Sequence, residues 1–393
     1  MEAAGLSNTS AHSLTIMSTS ILDDAHSVAL IASECAAESE SGRRLASPVV
    51  EALRDTQAFR MFVPKQYNGP EVDPVTALDV VMTLAAGDGA AGWCATIASL
   101  TSHGAGTVDP HWASVIFGDR RAITGGAFAP TGTATKVGAE TGSGYTVDGR
   151  WAWGSGSQNC NWLCGGAIDD EGVFRLMFFP ADEVTIHDTW DSSGLRGTGS
   201  HDLEVRHAVV PDGRWLLPFG AKLQVDSDVS RMPMYTLFAG GVAAVMLGIA
   251  RHAINELLLV APGKRPMGSM KSLAQSPLSH HDIGRAEAIL SSARAWLRDE
   301  TAAAWELVQA GSRVPTDLRV RIRAAATHAS VSARQATDIA YDLAGGTAVY
   351  SKSPLQRCFR DVHTASAHIM VTSRNFETYG RHRLGLPIDT SML

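Results

Sequence analysis

Two long stretches of helix-period sequence are separated by residues 119–217, a block whose chemistry is that of strands and turns. Within TGGAFAPTGTATKVGAETGSGYTVDGRWAWGSGS, glycine, threonine and valine recur in short alternating runs, the pattern of half-buried strands bounded by turns. Asp148-Gly149, between YTV and RWAW, predicts a two-residue hairpin turn, because such a turn needs the positive φ that Gly and Asp tolerate. A chain with a strand-rich middle and helical flanks must build at least two kinds of layer, so its fold is α+β and mainly helical.

Before the block, apolar residues such as Val75, Leu78, Met82 and Ala85 recur at helix spacing. Ser47-Pro48 and Asp73-Pro74 read as helix starts, with a side-chain oxygen to cap free amides and a proline whose φ suits the first turn. After the block, long helical patterns run near 232–262, 280–311 and 316–344. The expected organisation is a loose arm at 1–20, a helical domain at 21–118, a central β domain at 119–228 and a helical bundle at 229–393. The uncharged run Met232–Ala250 has membrane-like composition but contains Pro233, Gly240, Gly241 and Gly248, which suit close helix packing inside a bundle better than a membrane span.

A formal charge of −7 and a pI near 6.0 give no electrostatic reason to expect nucleic acid or an anionic membrane as partner, which leaves small molecules. The five cysteines are scattered; Cys160 and Cys164 stand at C-x3-C spacing without a second ligand pair, so neither a disulfide framework nor a metal site is expected. Residues 1–20 lack the basic start and apolar core of a secretory signal, and a reducing cytoplasm is the expected compartment.

Three segments, in order along the chain, resemble the acyl-CoA dehydrogenase superfamily. GRWAWGSGSQNCNWLCGGA at 149–167 is similar to the strand that lies along the flavin in that family. DSSGLRGTGSHDLEVRHAVVP at 191–211 is similar to its strand pair ending in Val-Pro, and YDLAGGTAVYSKSPLQRCFRDVHTASAH at 341–368 to its GG-x-G…R-x-x-RD signature. The resemblance implies an N-terminal helical domain, a central β-barrel-like domain and a C-terminal four-helix bundle.

Where the common dehydrogenases of this superfamily carry a catalytic glutamate after the RD element, this chain reads HTASAH, without a carboxylate, and offers His368. Without a carboxylate to remove a proton from an acyl thioester, desaturation loses its usual trigger. The segments are closer to the flavin-dependent monooxygenases of the same fold. The resemblance therefore implies the oxygenase component of a two-component system, using reduced FAD or FMN from a separate NAD(P)H flavin reductase by diffusive transfer, with O2 as co-substrate and no metal. It would act through a C4a-hydroperoxyflavin to hydroxylate a small aromatic molecule of phenol or indole type. No G-x-G-x-x-G fingerprint after a strand suggests a nicotinamide site of its own. The alternatives are an acyl-CoA dehydrogenase or oxidase with another base, and an N- or S-oxygenase on the same mechanism.

By the same resemblance, Ser155 or Ser157 meets the flavin N5 side, and His368, with His363 as rival, sits over the ring. His103 and Trp93 line the pocket. Spacing allows Arg357, Asp361 and His368 to share one helical face if the helix continues. Arg265 and the Gly345-Gly346 turn resemble the groups that approach a neighbouring subunit's cofactor, which implies a homo-oligomer, a tetramer in the family. Arg196, Thr198 and Ser200 are candidates for further contacts near flavin or substrate. Read without the resemblance, each of these residues has an ordinary structural use: a serine in a Gly-Ser turn, a histidine at a helix end, an arginine in a glycine-rich loop.

Overall fold

The computed structural model describes residues 13–137 and 143–393, with side chains from residue 21 onward. The N-terminal helices are α1 (Ser13–Glu34), α2 (Ala36–Gly42), α3 (Ser47–Asp55), α4 (Pro74–Gly87), α5 (Gly89–Ser102) and α6 (Pro110–Phe117). Helix α1 begins inside the stretch expected to be a loose arm; the rest of that stretch, residues 1–12, lies outside the described residues.

Strand structure follows as β1 (Thr124–Lys136), β2 (Gly144–Gly154), β3 (Trp162–Asp169), β4 (Phe174–Pro180), β5 (Thr185–His187), β6 (His201–Pro211) and β7 (Trp215–Leu216). They form one seven-stranded sheet in the order β5-β6-β2-β1-β3-β4-β7, antiparallel except where β1 runs parallel to β3. The helical remainder is α7 (Asp228–Arg231), α8 (Met234–Val260), α9 (Pro277–Gln309), α10 (Thr316–Ala344), α11 (Pro354–Ala365) and α12 (Asn375–Arg383).

The expected hairpin at Asp148-Gly149 is not there: β2 runs straight through the pair. Its register against β6 shifts between Val147 and Gly149, so the pair marks a bulge. Glycine is needed at 149 because the Trp151 ring lies over it; a Cβ there would stand 2.4 Å from Trp151 Cζ2. Asp148 is also occupied, its Oδ1 accepting from the His207 amide at 2.8 Å.

Helices α5 and α8 form the centre of the molecule. Every residue of α5 is buried, and so is α8 from Tyr235 through Ala250. Helix α8 is long and apolar enough to cross a membrane, but it is packed against α4, α5, α10 and α11 inside the protein. Small residues make that packing close, as Gly240 and Gly241 do where α8 passes Leu78 and Thr96. Asp88 alone joins α4 to α5: its amide donates to Leu84 O, and its carboxylate caps α5 by accepting from Ala91 N at 3.1 Å. The buried α5 thus starts at a fixed point, and its Trp93 faces the end of β2.

Candidate functional site

Strand β2 ends in a distortion that aims one serine inward. Trp153 adopts φ 67°, the left-handed region that side chains other than glycine rarely take, and stands 71% exposed. The chain turns sharply there, with the Ser155 amide donating back to the Trp153 carbonyl at 2.8 Å. Ser155 is thereby buried against α5, where its Oγ accepts from Trp93 Nε1 at 3.0 Å.

Ser155 also heads a row of hydroxyls. Its Oγ lies 2.7 Å from Ser200 Oγ, which lies 2.6 Å from Thr198 Oγ1, and Thr198 donates to the Leu195 carbonyl at 2.8 Å. The direction of the whole row follows from its end, because a carbonyl oxygen can only accept. Thr198 spends its one proton on Leu195, so Ser200 donates to Thr198 and Ser155 donates to Ser200. With Trp93 on one Ser155 lone pair, a single lone pair remains. Ser155 therefore faces its surroundings as an acceptor.

The anchor of that row is itself held from α11. Leu195 sits at φ 51°, a left-handed conformation costing roughly 1–2 kcal/mol for a residue with a Cβ. Its amide donates to Asp361 Oδ1 at 2.6 Å, and Trp190 Nε1 donates to its carbonyl at 3.0 Å. Asp361 is buried beside Asp88, with Arg357 and Arg196 lining the same small recess. Burial first, and the neighbouring Asp88 second, push the Asp361 carboxyl up to about 7. Asp88 is pushed up as well, chiefly by burial.

His368 does not lie on α11. That helix ends at Ala365, and His368 caps the short 3-10 turn Ile369–Val371, so Arg357 and Asp361 share a recess that His368 does not enter. The break places the imidazole among aromatic side chains from two other helices. Its ring stacks on Phe238 of α8, centroids 5.8 Å apart and planes at 10°, and meets Trp93 edge-on at 5.6 Å. Aromatic pairs of this kind contribute about 0.5–1.5 kcal/mol each beyond area burial. Burial, with Arg323 nearby, lowers the imidazole to about 4, so the ring is neutral near neutral pH. Its Nδ1 accepts from the Met370 amide at 3.3 Å, which puts the single ring proton on Nε2. His368 is thus a hydrogen-bond donor at Nε2 and a poor base.

The structure brings Trp93, Ser155, Thr198 and His368 into one cluster, together with Phe238, which the sequence reading missed because a phenylalanine in an apolar helix looks like ordinary core. Ser157, the alternative to Ser155, is 1% exposed, and its Oγ has no partner among the described residues. His363, the alternative to His368, is bonded at Nε2 to Asp338 Oδ1 at 2.8 Å, outside the cluster.

His103 is also outside it. Ten residues beyond Trp93, or about 15 Å along helical backbone, its Nε2 donates to the Val229 carbonyl at 3.0 Å, and the ring packs edge-on against Phe62. Arg196 is turned to its own loop, paired with Asp191 at 2.9 Å and donating to Ser192 O. Arg265 is exposed in the loop after α8, and Gly345-Gly346 is exposed in the turn after α10, with Lys264 bonded to Thr347 between them. The 22 residue steps of α8 from Phe238 to Val260 put that end roughly 33 Å from the aromatic cluster. Within one chain, Arg265 and Ser155 cannot meet the same small cofactor.

Residues 240–373 match the family model of the acyl-CoA dehydrogenase C-terminal domain. The chain is 32% identical over 349 residues to the indole-3-acetate monooxygenase of Pseudomonas putida, covering 87% of this chain and 88% of that protein. It is 25% identical over 377 residues to the oxygenase component of an FADH2-dependent resorcinol hydroxylase of Rhizobium sp., covering 88% of each. Among solved structures, the HsaA monooxygenase of Mycobacterium tuberculosis superposes with a TM-score of 0.87 at 28% identity, over 96% of this chain and all of that one.

Proposed function

This chain belongs to the flavin-dependent monooxygenase branch of the acyl-CoA dehydrogenase superfamily, and from that premise we propose that it is an oxygenase component that hydroxylates a small aromatic substrate of phenol or indole type. The observation that carries this reading is the pairing of a fixed acceptor, Ser155, with a fixed donor, His368, both in contact with Trp93. The residues present suit a reduced flavin. Ser155 Oγ offers one lone pair to a ring N–H, and the unpartnered Ser157 Oγ, fully buried, is a further polar contact for the cofactor.

Bound reduced flavin supplies the two electrons with which O2 is activated, and a separate NAD(P)H flavin reductase supplies the reduced flavin. The chain's own side chains do the rest. Ser155 holds a proton in place by accepting from its nitrogen, with Ser200 and Thr198 preventing the hydroxyl from turning round. His368 directs its Nε2–H at a reacting oxygen and orients it. Trp93 and Phe238 wall the cluster with apolar surface and exclude water.

A dehydrogenase reading is not favoured. The carboxylate that follows the arginine pair, Asp361, is spent on the Leu195 amide and is unavailable as a base toward the cluster. Arg265 and Gly345-Gly346 serve the cofactor of an adjacent subunit, which makes the working form a homo-oligomer, a tetramer in the cytoplasm. FAD suits an arginine at the pyrophosphate. The test is reconstitution: with NADH, flavin and O2, an oxygenated aromatic product forms only when a flavin reductase is added. Hydrogen peroxide as the sole product across phenols and indoles would contradict the proposal.

A further inference from the structure

Arg60, Arg175, Arg214 and Arg323 are the buried arginines among the described residues, and three of them are accounted for by what they touch. Arg60 donates to the carbonyls of Asp119, Tyr67 and Phe117. Arg175 pairs with Asp169 at 2.8 Å, and Arg214 donates to Val209 O at 2.6 Å with Glu183 3.6 Å away. Arg323, on α10 and 6% exposed, meets no carboxylate at ion-pair distance among the described residues.

Both of its hydrogen bonds run through Nη1, to Met370 Sδ at 2.8 Å and to Met392 O at 3.0 Å. A thioether is a weak acceptor for so strong a donor. The other edge of the guanidinium, Nε with Nη2, donates to nothing among the described residues, and its Nε is buried. That edge presents two parallel N–H groups, the fork that a carboxylate accepts with both oxygens. Burial pushes the guanidinium down to about 10, so it keeps its charge near neutral pH. A buried cation without a counter-ion is destabilising, and an apolar side chain of similar volume would fill the place without that penalty.

Arg323 stands beside the aromatic cluster. Met370, whose sulfur accepts from it, donates its own amide to His368 Nδ1, and the Arg323 charge helps to keep that imidazole neutral. On α8, Tyr235 lies one turn before Phe238 and so on the same face. It is 8% exposed, near enough to Arg323 for the two to act on each other's charge, and its hydroxyl is bonded to no described residue. The Arg323 fork, the Tyr235 hydroxyl and His368 Nε2 thus offer donors in one region, with no carboxylate of the described chain to take them.

We propose that the substrate is an aromatic acid and that Arg323 is its specificity-determining residue, binding the carboxylate through Nε and Nη2 with the Tyr235 hydroxyl as a further donor. This rests on the oxygenase reading above and narrows it, from phenols and indoles at large to those that carry a carboxylate. The acid supplies the counter-ion that the chain itself does not, and its ring extends from that anchor toward His368.

The test is equilibrium dialysis of the purified protein, with oxidised FAD present, against two matched pairs: indole-3-acetate with indole-3-acetamide, and 4-hydroxyphenylacetate with 4-hydroxyphenylacetamide. Within each pair the shape is shared and the charge differs. The unaltered protein is expected to retain at least one acid roughly tenfold more tightly than its amide, a comparison that needs no variant. Arg323→Met, which puts an apolar chain in place of the buried charge, is expected to weaken that acid roughly thirtyfold or more and to leave the amide where it was. Amides retained as tightly as the acids, or none of the four retained, would overturn the proposal. So would an Arg323→Met protein that binds the acid unchanged, or one that loses acid and amide alike. Because no reductase or NADH is present, nothing turns over, and a failure here is separable from a failure of oxygenation.

Discussion

Trp93 Nε1 donates to Ser155 Oγ at 3.0 Å, joining the fully buried helix α5 to the distorted end of β2. That bond occupies one acceptor site on the serine, and the Ser200–Thr198–Leu195 row takes its proton. What the site presents is thus set by five residues acting as a unit.

Replacing Ser155 with alanine removes the acceptor and is expected to divert turnover from product to hydrogen peroxide by roughly two orders of magnitude, the lower end of the range seen when a positioned hydrogen-bonding group is removed. Ser200→Ala leaves the acceptor in place but frees the Ser155 hydroxyl to rotate, so a smaller loss in the same direction is expected. Measuring peroxide and product together for both variants checks this order. A Ser200 variant more uncoupled than the Ser155 variant would refute it.

Asp361 makes stability depend on pH. Its carboxyl is raised to about 7 in the folded protein, against about 3.9 in an unfolded chain. Between those values the folded state holds a proton that the unfolded state has released, so stability falls as pH rises through the window and levels off above it. Asp361→Asn keeps an acceptor for the Leu195 amide and removes the titration. The variant is expected to melt higher than the unaltered protein by a few degrees at about pH 8, with the two converging toward about pH 4. Melting curves at several pH values decide the matter; parallel pH profiles for the two proteins would show that Asp361 is not the titrating group.

Gly149→Ala tests the reassignment of the Asp148-Gly149 pair. The added Cβ meets the Trp151 ring at 2.4 Å, and that ring is pinned by Nε1 donating to Gly166 O at 2.8 Å. Overpacking of this kind costs about 1–3 kcal/mol, read as a lower denaturant midpoint. No change in midpoint would contradict the close approach of the Trp151 ring to Gly149.

The fold was legible because its signals are long and additive. The helical periods at 280–311 and 316–344 reappear as α9 and α10 at Pro277–Gln309 and Thr316–Ala344. Short-range signals were less secure. Asp148-Gly149 carries hairpin chemistry, yet a tryptophan two residues on needed the glycine for room, a tertiary demand that no local pattern displays. His368 was read as the residue in place of a carboxylate, but its placement required knowing that α11 stops at Ala365. Phe238 gave no signal at all, because a phenylalanine in an apolar helix looks like core.

His368 carries the central claim. Lowered to about 4 by burial and by Arg323, it stays neutral across the working range, so no inflection near 6.5 is expected in the rate of product formation. The deciding measurement is product yield per NADH consumed by the His368→Ala protein, with flavin reductase, flavin, O2 and indole, alongside a flavin-binding titration. Yield is expected to fall by roughly a hundredfold or more with hydrogen peroxide in place of product and flavin affinity retained, whereas an unchanged yield would contradict the role assigned to the imidazole and with it the oxygenase site described here.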